Sequence, residues 1–525
     1  MSGAPAKDGV DWTPGHNPWL IAFAVTLVAF MEILDTTIVN VSLPHIAGSL
    51  SSTYDDATWT LTSYLVANGI VLTISGWLGR VLGRKRYFLI CIIMFTVSSF
   101  LCGTATSLGE LIFFRLMQGF FGGGLQPNQQ SIILDTFPPE KRAAAFGMTA
   151  IAAVVGPVLG PTLGGWITDN FSWRWIFFIN VPFGILTTFA VMWLVNDPPW
   201  AKKQSLPVDV IGISLITIGF GCLEVAVDRG EDADWFGSTF ICIMAACAVI
   251  GIVSAVIWLL KAKKPAVDLR VFKDRNFAVG TLLIGIMGAL LYSSAIIVPQ
   301  FAQQQMGYTA MLAGLVLSPG GIAVIILIPI VGRLMKVLAV RTVIAIGFGL
   351  MALALFWSAH LVPYLDFWHL VFFRMSQTAC LAFLFVPLST IAYSTLPREM
   401  NADASALFTM ARNVLGSLSI SGAIALLTRR RQAHQSDMVQ WMSSGHQPYN
   451  DYLAHGRQVA RNLEVAPAAV NGFAMHRLYV EFQRQVAILA YNEVFVILGL
   501  GAAFCVPLCF LFSRMRGDGT SPAVH

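Results

Sequence analysis

Apolar runs of about 18–25 residues, separated by short polar connectors, recur from position 18 almost to the end of the chain. About 20 apolar residues in a helix span the hydrocarbon core of a bilayer once. The pattern predicts fourteen such helices, over 18–42, 57–80, 86–104, 109–132, 143–167, 174–195, 208–227, 236–260, 276–299, 311–334, 340–359, 367–393, 403–427 and 486–512. The fold class expected is an all-α polytopic membrane protein. One connector is long: 428–485 opens with Arg429, Arg430 and Arg431 and continues as polar sequence with scattered apolar residues. It reads either as a small extramembrane helical hairpin or as a docking surface for a partner.

The chain also repeats itself. "FFRLMQ" at Phe113–Gln118 returns as "FFRMSQ" at Phe372–Gln377, and "TFPPE" at Thr136–Glu140 returns as "TLPRE" at Thr395–Glu399, both 259 positions later. A weaker echo links Gly76–Arg86 to Gly332–Thr342 at an offset of 256. The first span, shifted by 259, lands on the start of the ninth. The expected layout is a terminus over 1–17, a six-helix bundle over 18–200, two inserted helices over 201–265, and a second six-helix bundle over 266–525 that includes the loop 428–485. The halves are parallel repeats, the sequence mark of a secondary transporter with its substrate path between them.

Composition narrows the class. Of the 525 residues 56% are hydrophobic and 12% charged, against roughly 25% charged in soluble domains. Secreted enzymes, nucleic-acid binders and disordered scaffolds are poor readings of such a chain. The eight cysteines all lie inside apolar segments without metal-ligand spacing and read as small buried residues. The first 17 residues lack the basic-then-apolar order of a signal peptide, so the first span is expected to stay in the mature protein. With an even number of spans both termini share one side. All ten lysines fall on that side, which makes it cytoplasmic by the positive-inside rule. The net charge of +5 then reflects topology.

Candidate chemistry lies in the spans. In "MEILDTTIVNVSLP" (Met31–Pro44), Glu32 and Asp35 sit one helical turn apart, deep in span 1. A carboxylate at that depth is neutralised, paired or turned to a watery cavity. These two are either proton carriers or hydrogen-bonded structural acids; no histidine lies mid-span to compete for the first role. Arg115, in mid-span 4, needs an acid or a carbonyl-lined pocket, and span 1 can supply the acid. Its repeat-mate Arg374 and Arg412 of span 13 make the same demand in the second half, where the stretch around Tyr292 and Ser293 has no acid. Tying helices together is the structural alternative for each arginine.

In "GPVLGPTLGG", Gly156, Gly160 and Gly164 leave one face of span 5 almost bare, with Pro157 and Pro161 on an adjacent stripe and Gly165 at the end. That face is either a static packing seam or a hinge and seal between the halves. "GWLGRVLGRKR" forms a tight turn between spans 2 and 3, with Gly76, Arg80, Gly83 and Arg84 as its marked positions. It is either topological charge or an ion-pair latch. Asn40, Gln126, Asn128 and Gln300, with Arg374 and Arg412, are the polar candidates along an otherwise apolar pathway.

Taken together, these motifs and the parallel repeat resemble the major facilitator superfamily. The two inserted helices, "LDTTIVNVSLP", "GPVLGPTLGG" and "DRGEDADWF" (Asp228–Phe236) are similar to its fourteen-helix drug:proton antiporters of the EmrB multidrug-exporter type. The resemblance implies that Asp35 is the family's membrane-embedded acid, Arg115 its essential span-4 arginine, and 156–165 its antiporter signature. It also implies proton-driven export of lipophilic drugs across the inner membrane by alternating access, with no cofactor and no enzymatic step. A periplasmic adaptor of the EmrA type and an outer-membrane channel are the implied partners. Export of one metabolite or siderophore by the same machinery is the second expectation. The chain departs from the family pattern at Arg80, where the 2–3 loop motif has Asp, and at Val81, where it has a basic residue. The usual Asp-centred charge latch therefore does not carry over directly.

Overall fold

In a computed structural model, residues 13–513 are described apart from 202, 204–206, 232 and 363. Most of the expected 1–17 terminus, with Lys202 and Asp232, lies outside the described residues. The spans of the first half are α1 (Pro18–Ser49), α2 (Tyr54–Leu82), α3 (Arg84–Thr104), α4 (Leu108–Gly122) continued by α5 (Leu125–Thr136), α6 (Pro139–Asn170), and α7 (Trp175–Phe178) continued by α8 (Asn180–Leu194). The inserted pair is α9 (Val210–Arg229) and α10 (Thr239–Lys261). The second half comprises α11 (Arg275–Met306), α12 (Ala310–Val337), α13 (Val340–Ser358), α14 (Phe367–Ala392), α15 (Asn401–Val439), α16 (Gln447–Asn462) and α17 (Val470–Leu508).

Thirteen of the described helices are each long and apolar enough to cross a membrane. The fourteenth crossing is the α4–α5 pair, which the apolar pattern reads as one helix. The break falls at Gly123 and Gly124, where any Cβ would run into the backbone of Asn68 and Leu72 on α2 or into Tyr87 and Cys91 on α3. Bare backbone lets three spans converge at that level.

The repeat reappears in the packing. α1 lies along α6 and α2 along α4; in the second half α11 lies along α15 and α12 along α14. The halves meet through α6 against α12 and α14 on one side, and through α2 and α5 against α15 on the other. The inserted α9 packs on α2 and reaches α15, with α10 outside it. α10 turns Ile243, Val249, Ile250, Val253 and Ile257 outward, as a helix facing lipid does.

The side on which α1 begins and α17 ends is here the base, and the opposite side the crown. Beyond the crown the long connector is largely helical. α15 and α17 each run unbroken for 39 residues, and α16 packs on α17 through Leu453, Ala474 and Leu478. Arg430 (3.3 Å) and His434 (3.2 Å) of α15 both reach Glu493 of α17 and tie the two long helices together.

Candidate functional site

α1 carries its two acids into the middle of the first half. Asp35 and Arg115 are completely buried and paired, with Arg115 Nη1 2.7 Å from Asp35 Oδ2. The other carboxylate oxygen accepts from Gln118 Nε2 (2.9 Å) and Asn180 Nδ2 (2.7 Å). The guanidinium also donates to Gln118 Oε1 (2.8 Å) and, through Nε, to the Thr60 carbonyl (3.2 Å), and it lies 4.2 Å from the centre of the Tyr64 ring. Every bond favours the charged pair, which offsets the cost of burying both ions.

Glu32, one turn away on the same helix, is held differently. It accepts from Tyr64 Oη (3.4 Å), Asn68 Nδ2 (3.2 Å) and Gln126 Nε2. All three donors are neutral. The carbonyl oxygen of Gln126 in turn accepts from Arg412 Nη2 of α15. A single amide thus links the acid of the first half to a buried arginine of the second. Arg412 also lines a narrow cavity at the centre of the molecule with Ala150 and Val154 of α6, Leu291 and Tyr292 of α11, Val324 of α12 and Phe385 of α14. That lining is otherwise apolar.

Asn128 is buried against its own helix, donating to the Gly124 carbonyl at 2.6 Å. Asn40 is exposed on α1, and Gln300 of α11 is half-buried with its carbonyl oxygen unpaired. Of the four polar candidates, only Gln126 joins the buried network. Side-chain polarity in an apolar run identifies a candidate but not the face of the helix it occupies.

The glycine stripe of α6 does not lie between the halves. A Cβ on Gly156 would meet Ile33, one on Gly160 would meet Thr37, and one on Gly164 would approach the Ile38 carbonyl at 2.8 Å. All three partners belong to α1. Of the two readings of the stripe, these contacts fit the packing seam: it lies within the first half, against α1 beside Glu32 and Asp35. Pro157 and Pro161 sit inside a helix that stays continuous from Pro139 to Asn170, and a Cβ on Gly165 would come no closer to a neighbouring helix than 3.8 Å, at Val41. Contact with the second half comes from other positions of α6, such as Thr162 beside Gly314 and Gly147 beside Ile328.

At the base the marked loop does hold the halves together. Gly83 turns the chain from α2 into α3 with φ +87°, a region that residues with a side chain rarely enter. Gly76 lies so close to α15 that a Cβ would sit 2.9 Å from the Asp403 Cα. Beside it Arg80 forms an ion pair with Asp403, in the first turn of α15, where an acid also suits the helix dipole. Arg84 pairs with Asp135 of α5, whose other oxygen accepts from Asn401 of α15 (3.0 Å) and from Trp200 (3.2 Å). Ser131 donates to the Asn401 carbonyl (3.3 Å), and Tyr393 donates to Gln130 (3.1 Å). The base is closed by this layer.

Sequence reading missed Asp403, Asp135, Gln118 and Asn180, whose partners lie on other helices. It also passed over two acids of α9. Glu224 accepts from Ser417 of α15 at 2.8 Å, and Asp228 accepts from Thr62 of α2, so the inserted helix bonds to both halves. Their place in the apolar run 208–227 and just beyond it was the available signal.

Comparison with known proteins agrees with this architecture. The sequence model described as Major Facilitator Superfamily matches residues 25–420. The chain is 38% identical over 432 residues to the multidrug export protein EmrB of Haemophilus influenzae, covering 82% of this chain and 84% of that protein. It is 35% identical over 477 residues to EmrB of Escherichia coli K12, covering 91% of each. Among solved structures, the human organic anion transporter MFSD10 superposes with a TM-score of 0.57 at 11% identity, over 93% of this chain and 100% of that one. With two parallel six-helix halves, an inserted pair and these relatives, the chain belongs to the Major Facilitator Superfamily.

Proposed function

We propose that this protein exports lipophilic toxic compounds across the bacterial inner membrane in exchange for protons, with the base and both termini in the cytoplasm. The names of the EmrB relatives support the substrate class, and the lysine-rich base loops support the orientation. One observation carries the mechanism: Glu32 is joined through Gln126 to Arg412 across the interface of the halves.

Asp35 has a guanidinium of its own and acts as the fixed member of the pair. Glu32 has neutral donors only, so it is the carboxylate that takes up and releases the proton. A lipophilic ligand entering the central cavity displaces Arg412 from Gln126, frees the amide and changes what Glu32 can bind. The contacts Arg80–Asp403 and Asn401–Asp135 across the halves support a present state closed at the base. Alternating access then requires that layer to part while the crown closes.

The loop above the crown is proposed to meet a periplasmic adaptor of the EmrA type that leads to an outer-membrane channel. The decisive experiment measures drug accumulation in drug-sensitive cells, and in proteoliposomes, with the proton gradient intact and collapsed. Gradient-dependent efflux of several unrelated lipophilic compounds is expected. Efflux that persists after the gradient is collapsed, or that is confined to one metabolite, overturns the reading.

A further inference from the structure

The second half holds a charge-stripped copy of the Asp35–Arg115 site. Adding the repeat offset of 259 turns Asp35 into Ser294, Ser99 into Ser358, Arg115 into Arg374 and Gln118 into Gln377. The structure keeps the two arginine bonds: Arg374 Nη1 donates to Ser294 Oγ (2.7 Å) and to Gln377 Oε1 (3.2 Å); Gln377 Nε2, whose counterpart on Gln118 donates to Asp35, here donates to Ser358 Oγ (2.7 Å). What differs is everything that neutralises the arginine. A hydroxyl replaces the carboxylate, and among the described residues no acid forms an ion pair with Arg374.

The Nε of Arg374 has no acceptor, whereas the Nε of Arg115 bonds to the Thr60 carbonyl. The aromatic face is missing as well. Gly119 rests on the backbone of Tyr64, whose ring covers Arg115; Thr378, at the place of Gly119 in the repeat, rests on Gly320, which has no side chain to cover Arg374. Yet Arg374 is only 4% exposed. A guanidinium is not deprotonated at such a site. A buried, permanent cation without an anion costs several kcal/mol.

We propose that Arg374, with Ser294 and Gln377, forms a binding site for a monovalent anion that takes the place of the missing carboxylate. The single positive charge and neutral neighbours select one negative charge. Halides and small carboxylates are the simplest anions of that charge. The anion accepts from Arg374 Nε, and the Ser294 hydroxyl, which now donates to the Leu290 carbonyl at 2.8 Å, can turn to donate to it. In the first half the counter-charge is covalently attached; in the second it is recruited.

The test is thermal unfolding of the purified full-length protein in detergent, with sodium gluconate replaced stepwise by sodium chloride or sodium acetate at constant ionic strength. Wild type should gain roughly 2–4 °C in a saturable manner with at least one of the two small anions. Saturation by chloride identifies a halide site, and by acetate alone a carboxylate site. Ser294→Asp restores the internal counter-charge. It should match the anion-saturated wild type in gluconate and show no further response. Arg374→Gln should also lose the response. An unsaturable slope shared by wild type and Ser294→Asp is a general salt effect and overturns the proposal, as does a flat wild-type profile.

Discussion

Arg80 on α2 and Asp403 in the first turn of α15 join the two halves at the base, with the charges placed opposite to the family's motif. The acid that the motif carries on the 2–3 loop is here on the facing helix. The sequence departure at Arg80 is thus compensated 323 positions away.

A charge exchange tests that compensation. Arg80→Asp and Asp403→Arg each set like charges against one another and should lower transport at least about tenfold, since a broken buried pair costs about 3–5 kcal/mol. The double exchange should recover most of the activity in vesicles. Failure of the double variant to exceed either single one would mean that the two residues act separately.

The two acids of α1 should behave differently. Glu32→Gln keeps the hydrogen-bonding shape and leaves the Asp35–Arg115 pair intact, so the melting temperature should hold while proton-driven transport is lost. Asp35→Asn leaves Arg115 without its counter-charge, so it should lose transport and also unfold at a lower temperature. Measuring both quantities for both variants separates the proton carrier from the fixed pair. Equal melting temperatures for the two variants would contradict the assignment.

The α1–α6 seam makes a graded prediction. Gly160→Ala places a methyl group against Thr37 and should cost about 1–3 kcal/mol, and Gly160→Leu should abolish transport by displacing α1. Gly165→Ala, with its nearest neighbour at 3.8 Å, should be neutral in stability and in efflux. A destabilised Gly165→Ala would show that the seam is tight along its whole length.

Above the crown, replacing residues 440–469 by a short Gly/Ser linker keeps the Arg430 and His434 contacts to Glu493. Transport by purified protein in vesicles should survive, while resistance at the level of the cell and co-purification of an adaptor should disappear. A cysteine at the exposed Ser444 should react with an impermeant reagent from the periplasmic side. Labelling only from the cytoplasm would reverse the proposed topology.

What the sequence made legible was whatever depends on distance along the chain. Apolar length marked the spans, and the offset of 259 anticipated that Arg374 would stand where Arg115 stands. Facing was not legible. The partners of Glu32 on α2, Tyr64 and Asn68, look like ordinary polar residues in an apolar run. Arg80 gives no hint of Asp403, because a latch between halves depends on which helices meet at the base. The glycine stripe pointed to a close helix approach but could not name α1 as its other wall. The break at Gly123–Gly124 was hidden because a bend leaves the apolar pattern of span 4 intact.

The unbroken course of α15 has a mechanical consequence. From residue 428 to Val439 the helix continues about 18 Å past its apolar stretch. It starts at the base beside Arg80, and its outer part is tied to α17. A rocking of the second half by about 10° around the bilayer midplane would carry the far end of α15 sideways by about 6 Å. The helix is thus a lever whose short arm ends in the base latch and whose long arm stands clear of the membrane. Opening or closing at one face is delivered, enlarged, to whatever rests on the other.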